Sequence, residues 1–408
     1  MSRARTRVAL AGALLIVLAS CSGYYDPQPS GELPPTAVPD NRLTARFFGV
    51  STVLLSDGRS AVMADGFFSR PGLLPGLTQP LKPNQDAIAW ALARGRVGTV
   101  EAVLVPHSHF DHALDSASVA RKTGAVVVGS LSTCRIVRAE EFPQDRTRLI
   151  AGGEQFQFGS FRVRAFLARH TPKPPWPIPA LDEDVDPGFK VPARIFDYEQ
   201  GGTYSFLVEH DARAVLIHSS TNYVRGLYDG VRADVVFLGV ALLARQRPDF
   251  AKTYWDEVVT KTGAKLVIPV HWDDYTRPLD QRLKWFGWPD DPPADMAIIR
   301  DLANKSGVRV AFMRCSSRSI SWLQRRSIRP TDTRRRRRSC ARRRPVRSRE
   351  RPVKVDRSGW CRELRRTASA CAAGGWSSTG SRRQECPAPR AHRRPASGGS
   401  ATAPPRRT

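Results

Sequence analysis

The sequence lacks any pair of cysteines with the spacing of a metal site. Its 408 residues include seven cysteines, and no two of them form a CxxC or similar pair, so neither a cysteine zinc site nor a disulfide framework is predicted. No apolar run after residue 18 reaches membrane-spanning length, and no repeat of fixed short period is present. The length and average composition predict a globular body of one large domain or two ordinary ones.

Acidic residues are almost missing from the C-terminal segment. Residues 316–408 contain 27 of the 64 lysines and arginines but only 5 of the 38 acidic residues. Most of the net charge of +26 therefore belongs to this tail, and the body is nearly neutral. Two interpretations stay open: a basic arm that binds nucleic acid or anionic lipid, or the product of a frameshifted reading of a GC-rich gene. Both predict disorder over residues 316–408.

The N-terminus has the pattern of an export signal. Three arginines within residues 1–7 precede the eleven apolar residues Val8–Leu18, a run too short to span a bilayer comfortably. The following Leu18-Ala19-Ser20-Cys21 resembles a bacterial lipobox. This resemblance implies cleavage of residues 1–21 before Cys21 and lipidation of its thiol; a plain secretory signal and a membrane anchor are the alternatives. Residues 22–42, rich in Pro, Gly and Ser, suit a flexible tether. We therefore expect the body, residues 43–315, in the cell envelope, outside the cytoplasmic membrane.

The body alternates predicted strands and helices. Apolar runs predict strands over Ala45–Leu55, Ser60–Ala64, Val100–Val105, Ala125–Val128, Gln155–Leu167, Thr203–Glu209, Ala212–His218, Asp234–Leu238, Lys265–Val270 and Val308–Phe312. Helical spacing marks Asn84–Arg96, Asp115–Thr123, Asp249–Thr262 and Ala294–Ser306. This order predicts a layered α/β or α+β domain. The Pro-rich residues 171–202 are predicted to be an insertion, either a lid over a site or a surface loop without a role.

Histidines are scarce, yet three of the eight fall within six residues. The segment His107-Ser108-His109-Phe110-Asp111-His112 directly follows the predicted strand Val100–Val105. His170 and His271 each follow another predicted strand. Neutral imidazole is a good ligand for Zn²⁺, and a carboxylate joins it readily. Five histidines and Asp111 are therefore predicted to meet at a common metal site.

The HxHxDH motif, Phe48-Gly49-Val50-Ser51-Thr52-Val53, and Asp65 after the next strand resemble the metallo-β-lactamase fold superfamily. The resemblance covers about residues 43–314 and implies an αββα four-layer sandwich with metals at one edge. It implies a first metal site of His107, His109 and His170, and a second of Asp111, His112 and His271. It further implies one or two Zn²⁺ ions, with Asp111 orienting the nucleophile and sharing in proton transfer.

The sequence departs from the superfamily pattern at one ligand. Ser220 stands where the resemblance implies a bridging aspartate, which puts occupancy of the second site in doubt. His218 lies on the same strand face by alternation and is predicted either to compensate in part or to be a hydrogen-bonded histidine beside the site. Asp65 and Asp273 are predicted to support the metal-binding histidines, with a turn role and solvent exposure as the respective alternatives.

Three functions follow from these features. The resemblance implies a hydrolase that uses a metal-activated water on an ester, a lactone or a phosphodiester, closest to the lactonase and phospholipase-D-like branches. A lipid anchor near the membrane favours a small-molecule or lipid-like substrate of the envelope. The loss of the bridging aspartate favours a second class, a metal-binding module without turnover. Nucleic-acid or anionic-lipid binding through the basic tail is the third.

Overall fold

The computed structural model describes residues 43–173, 181–287, 289–313 and 320–321. The predicted signal peptide, Cys21, the tether and nearly all of the tail lie outside these ranges. In the described part of the chain, no helix combines the length and the apolar character needed to cross a membrane.

The first sheet is antiparallel at one end and parallel at the other. Its order is β14-β1-β2-β3-β4-β5-β6. The pairs from β14 to β3 are antiparallel and those from β3 to β6 are parallel. The strands are β1 Thr44–Phe47, β2 Val53–Ser56, β3 Ala61–Ala64, β4 Ala102–Leu104, β5 Val126–Gly129, β6 Thr147–Leu149 and β14 Ile320–Ser321.

The second sheet repeats this plan, in the order β13-β12-β11-β10-β9-β8-β7. The pairs from β13 to β10 are parallel and those from β10 to β7 are antiparallel. The strands are β7 Gln155–Phe158, β8 Phe161–Ala168, β9 Thr203–His210, β10 Arg213–His218, β11 Val235–Gly239, β12 Leu266–Val270 and β13 Arg309–Val310.

Helices cover the outer side of each sheet. The helices are α1 Leu73–Thr78, α2 Gln85–Arg94, α3 Phe110–Ala113, α4 Ser116–Thr123, α5 Leu131–Ala139, α6 Phe250–Trp255, continued by a π-helical turn Asp256–Thr260, and α7 Pro292–Ser306. On the first sheet, α4 packs against β4 and β5, α5 packs against β5 and β6, and α2 packs on α4. On the second sheet, α7 packs against β13 and also against α6.

Both sheets contribute to one hydrophobic core. Strands β4, β11 and β12 are buried along their whole length, as expected for strands covered on both faces. A continuous apolar run such as Val235–Gly239 therefore forms a central strand that is buried at every position, and it does not alternate between buried and exposed residues. The predicted αββα layering is confirmed.

One local prediction was wrong, and two further features were not predicted. The predicted strand Ala45–Leu55 is broken between β1 and β2 by a turn in which Gly49 and Val50 have positive φ values of 94° and 51°. Ile320–Ser321 of the tail pair with Thr44 and Ala45 of β1; the rest of the tail lies outside the described residues, so its predicted disorder stays a prediction. Cys134 in α5 is disulfide-bonded, which the cysteine spacing gave no reason to expect.

A polar contact joins the two sheets beside the β9–β10 hairpin. Asp57, in the turn after β2, accepts a hydrogen bond from Ser160 Oγ at 2.6 Å, and its Oδ2 lies 3.0 Å from His210 Nε2. His210 ends β9, whereas His218 ends the antiparallel neighbour β10, so the two buried histidines lie at opposite ends of this strand pair. His210 is therefore a natural comparison for the histidines described next.

Candidate metal centre

Three strand ends deliver the predicted ligands to one place. The HxHxDH segment follows β4, His170 follows β8, and His271 follows β12 directly. The first sheet thus supplies four side chains and the second supplies two. Together they form two groups whose ligand atoms lie within 4.8 Å of one another in each group: His107, His109 and His170, and Asp111, His112 and His271.

In the first group the imidazoles pack edge to face. The ring of His170 lies 4.8 Å from that of His107 and 4.7 Å from that of His109. His107 also connects the two groups, since its ring centroid is 4.0 Å from that of His112. The second group centres on Asp111, whose Oδ2 lies 3.3 Å from His271 Nε2 and 3.5 Å from His112 Nε2. The six side chains therefore form one continuous cluster.

The donor atoms fit a divalent cation. Nδ1 of His107 and Nε2 of His112 are buried and have no hydrogen-bond partner within the described residues. A buried polar nitrogen without a partner costs free energy, and this cost is removed when its lone pair binds a metal. The donor set of imidazoles plus one carboxylate is one that zinc accepts.

The protonation states also suit ligands. Burial, together with the neighbouring imidazoles, lowers the pKa of His107 and of His170 well below the ordinary value, so both are neutral. Burial also lowers the pKa of His109. Burial alone would raise the pKa of Asp111, but His112 and His271 outweigh it and lower that pKa, so Asp111 is ionised.

Hydrogen bonds outside the cluster fix which nitrogen each ring presents. Nε2 of His109 lies 2.9 Å from the carbonyl oxygen of Leu181, which leaves Nδ1 for the cluster. Nδ1 of His170 lies 3.1 Å from the carbonyl oxygen of Thr171, which leaves Nε2. A carbonyl oxygen only accepts, so both bonded nitrogens carry the proton. Leu181 belongs to the predicted 171–202 insertion, whose residues 174–180 lie outside the described part. The insertion therefore supports a ligand directly.

Asp65 supports His112. Its Oδ1 lies 3.1 Å from His112 Nδ1, and its Oδ2 accepts hydrogen bonds from the backbone N–H and the Oγ of Ser51. Burial opposes a charge on His112, but the carboxylates of Asp65 and Asp111 outweigh burial and raise the pKa of this histidine. An aspartate in this position orients the ring and increases its basicity toward a metal.

Asp273 was predicted to support the ring of His271, but its carboxylate contacts Arg70 and Val50 instead. Its Oδ2 pairs with Arg70 Nη2 at 2.6 Å, both side chains being fully buried, and its Oδ1 accepts from the backbone N–H of Val50 at 2.7 Å. Val50 in turn accepts a hydrogen bond from the backbone N–H of His271 at 2.6 Å. Asp273 thus acts on the backbone: it fixes a turn in which His271 has a left-handed φ of 61°.

Ser220 and His218 occupy the segment beside His170. Ser220 is buried, and its hydroxyl, like those of Ser219 and Thr221, has no hydrogen-bond partner within the described residues. His218 has both ring nitrogens engaged, with Tyr228 Oη at 2.9 Å and the Asn222 carbonyl oxygen at 2.7 Å. His218 is therefore not free to bridge two metals, and no carboxylate from this segment reaches the cluster.

Three half-buried aromatic side chains, those of Phe110, Tyr275 and Phe286, lie next to the second group and are called the aromatic wall below. The sequence analysis did not predict them as part of the site. The ring of Tyr275 lies 6.2 Å from His271, 5.9 Å from Phe110 and 4.7 Å from Phe286. Burial, and then the charge of Asp111, raise the pKa of Tyr275, so its hydroxyl stays protonated. Aromatic residues spread over three segments carry no local pattern that would have revealed this wall.

A pair of buried carboxyls, Asp290 and Asp295, holds the loop after β11. Asp290 accepts from the backbone N–H of Leu242 at 2.8 Å, and Asp295 accepts from that of Ala244 at 2.7 Å. The charge of Asp290 beside it opposes ionisation of Asp295, which favours a proton on one of the two carboxyls. Burial, reinforced by the charge of Asp290, raises the pKa of Asp295 to about 9.

This pair predicts a pH dependence of stability. Between the ordinary pKa of 3.8 and about 9, folded Asp295 keeps a proton that the unfolded chain releases, so stability falls as the pH rises through this window. Asp295→Asn supplies a permanent N–H donor and should raise the Tm at pH 8 by about 3 °C, and by less at pH 5. Calorimetric scans at both pH values test this. Asp291→Asn, which keeps a group able to cap α7, is the control; an equal gain in both variants contradicts the assignment.

Residues 74–272 match the family model described as "Beta-lactamase superfamily domain". This segment contains all six side chains of the cluster. Among curated relatives, a UPF0173 metal-dependent hydrolase of Heliobacterium modesticaldum is 28% identical over 123 residues, which is 30% of this chain and 44% of that protein. A second, from Carboxydothermus hydrogenoformans, is 31% identical over 72 residues, 18% of this chain and 30% of that protein. The chain thus spans less than half the length of these relatives.

Solved structures with similar folds are distant in sequence. Igni18, a metallo hydrolase from Ignicoccus hospitalis, is 14% identical and matches with a TM-score of 0.43, covering 69% of this chain and 99% of that one. YhfI from Bacillus subtilis, a metallo-beta-lactamase fold protein, is 12% identical with a TM-score of 0.41, covering 69% of this chain and 98% of that one.

Proposed function

We propose that the chain contains a beta-lactamase superfamily domain and that this domain is a metal-dependent hydrolase that uses Zn²⁺. The observation that carries the proposal is the meeting of five imidazoles and one carboxylate from three strand ends in one buried cluster. The matched relatives that are named metal-dependent hydrolases support it.

The residues in and around the cluster have different roles in the proposed hydrolysis. When bound, Zn²⁺ supplies Lewis acidity, lowering the pKa of a water to about 7 and polarising a carbonyl or phosphoryl oxygen. Asp111, ionised and beside His112 and His271, orients the attacking water and accepts its proton. Asp65 and the Leu181 carbonyl hold the rings of His112 and His109.

The aromatic wall favours an ester or lactone with an apolar part. Phe110, Tyr275 and Phe286 present ring surface beside the second group, where a substrate bound to the cluster would extend. Asp182, Glu183 and Asp184 follow directly after Leu181, whose carbonyl oxygen contacts His109. We infer that negative charge in this segment disfavours an anionic phosphodiester. The sequence resemblance to lactonases agrees with this choice, and the phosphodiester remains an outcome of the test.

The test combines metal analysis with a substrate series. Purified protein is stripped with a chelator, reloaded with Zn²⁺, and assayed on p-nitrophenyl esters of two to eight carbons, on a lactone, and on bis(p-nitrophenyl) phosphate. We expect activity only in the reloaded protein, with kcat/KM rising with acyl length on esters. Equal turnover by stripped and reloaded protein would overturn the proposal, and preference for the phosphodiester would overturn the substrate assignment.

A second candidate is a metal-binding module without turnover. Ser220 and its neighbours offer hydroxyls where the superfamily pattern leads one to expect a carboxylate. Stoichiometric metal binding without hydrolysis of any substrate in the series would favour this function.

We also propose that Cys21 is lipidated and anchors the domain in the cell envelope, outside the cytoplasmic membrane, near lipid-like substrates. The support is the sequence pattern of residues 1–21. Membrane fractionation of a Cys21→Ser variant tests it: the protein should leave the membrane fraction, and unchanged association would contradict lipidation at this residue. Nucleic acid is not a partner in this proposal.

A further inference from the structure

A chain of buried hydrogen bonds runs from the core of the second sheet to a residue of the metal centre. It begins at Ser205 in β9, whose Oγ contacts Tyr228 Oη. Tyr228 Oη lies 2.9 Å from His218 Nδ1, and His218 Nε2 lies 2.7 Å from the Asn222 carbonyl oxygen. Asn222 then donates from its side-chain Nδ2 to the carbonyl oxygen of His170 at 2.6 Å.

The direction of each bond in this chain is determined. Burial lowers the pKa of His218 to about 4, so the ring is neutral and has one donor and one acceptor. The Asn222 carbonyl oxygen only accepts, so the proton lies on Nε2, and Nδ1 must accept from the Tyr228 hydroxyl. Tyr228 has then used its one proton, so Ser205 donates to it. Each group in this series of hydrogen bonds has its partner in only one placement of the protons, and such a series forms a rigid support.

Asn222 connects this support to the ligand. Its Oδ1 accepts from the backbone N–H of Tyr223 at 2.8 Å, so both ends of its amide are fixed. The preceding backbone N–H, that of Thr221, donates to Thr171 Oγ1 at 2.9 Å. The backbone of His170 and the side chain of Thr171 are thus both attached to residues 221–222. Thr171 in turn holds Nδ1 of the His170 ring.

We propose that His218 is a positioning residue: it holds Asn222, and through Asn222 it holds His170 in the orientation that a metal ligand needs. This inference rests on the metal binding proposed above but not on hydrolysis. It assigns a role to a buried imidazole that touches no member of the two ligand groups by hydrogen bond. Residues that orient metal ligands typically affect metal affinity by about 10- to 100-fold.

The test compares two substitutions at His218. His218→Gln keeps a donor toward Asn222 and an acceptor toward Tyr228, whereas His218→Phe keeps a ring of similar size and loses both. Affinities are measured with Zn²⁺ against a competing chelator, and the absorption bands of the Co²⁺-loaded protein report ligand geometry. We expect His218→Phe to weaken binding at least tenfold and to change the Co²⁺ spectrum, while His218→Gln stays within about threefold of the wild type.

His210→Phe is the matched control, because it also removes a buried histidine of the same strand pair, at the opposite end. It should lower the Tm but leave the Zn²⁺ affinity and the Co²⁺ spectrum unchanged. If His218→Phe fails to fold, Asn222→Asp, which loses the donor to His170, must show the same weakening. Equal affinities in the two phenylalanine variants, or an unaffected Asn222→Asp, overturn this inference alone. A wild type that binds no metal overturns the proposed function as well.

Discussion

Replacing His109 with alanine is expected to lower the affinity for Zn²⁺ by at least about 100-fold and to abolish metal-dependent hydrolysis. The first ligand group then retains only His107 and His170, and the lost ring also ends the contact with Leu181 that fixes the insertion. Two nitrogen ligands cannot complete a tetrahedral zinc site. Metal content after dialysis and kcat/KM with saturating Zn²⁺ measure the two effects.

His210→Ala serves as the control for His109→Ala, since it removes another buried histidine that pairs with Asp57 outside the cluster. This variant should unfold at a lower temperature but keep its metal and its activity. If His109→Ala keeps both the metal content and the rate of the wild type, the first ligand group does not bind the metal and the proposed centre is wrong.

The positions of the proposed ligands were predictable from the sequence because these residues follow strands. The HxHxDH segment leaves β4, and His170 and His271 leave β8 and β12, so apolar runs in the sequence mark where each ligand begins. Only the resemblance to a known superfamily, however, indicated that ends of two different sheets converge. Apolar periodicity identifies strands and which face is buried, but it does not specify the stacking of one sheet on the other.

The supporting contacts were not predictable from the sequence. The Leu181 and Asn222 carbonyl oxygens hold His109 and His218, and any residue supplies such an oxygen, so residue type carries no signal. Asp273 stood next to a ligand and was therefore predicted to contact its ring. Its partner Arg70 is 203 positions away in the sequence. The turn after β1 contacts both side chains, since Phe48 accepts from Arg70 and Val50 donates to Asp273. The same turn was missed when Ala45–Leu55 was predicted as one strand.

Asp273→Ala is expected to destabilise the fold by about 3–5 kcal/mol, because it leaves the guanidinium of Arg70 buried without a counter-charge. Both side chains are fully buried in their ion pair. Arg70 retains hydrogen bonds to the backbone carbonyl oxygens of Phe48 and Asp274, but neither carries a full negative charge. Gly49 lies against the same pair: a Cβ there would meet the guanidinium and lie 2.6 Å from Asp273 Oδ2. Urea unfolding measures the loss.

The variant should also disturb the second ligand group. Without Asp273 Oδ1, the N–H of Val50 loses its acceptor, and the turn that receives the backbone N–H of His271 is no longer held. Asp274→Ala is the control, since the Asp274 carboxylate accepts hydrogen bonds from the nearby Thr276, and their loss should cost about 1 kcal/mol or less. The double variant Arg70→Met/Asp273→Leu removes both charges and should recover part of the stability. A single Asp273→Ala variant no less stable than Asp274→Ala would show that the buried pair does not hold this turn.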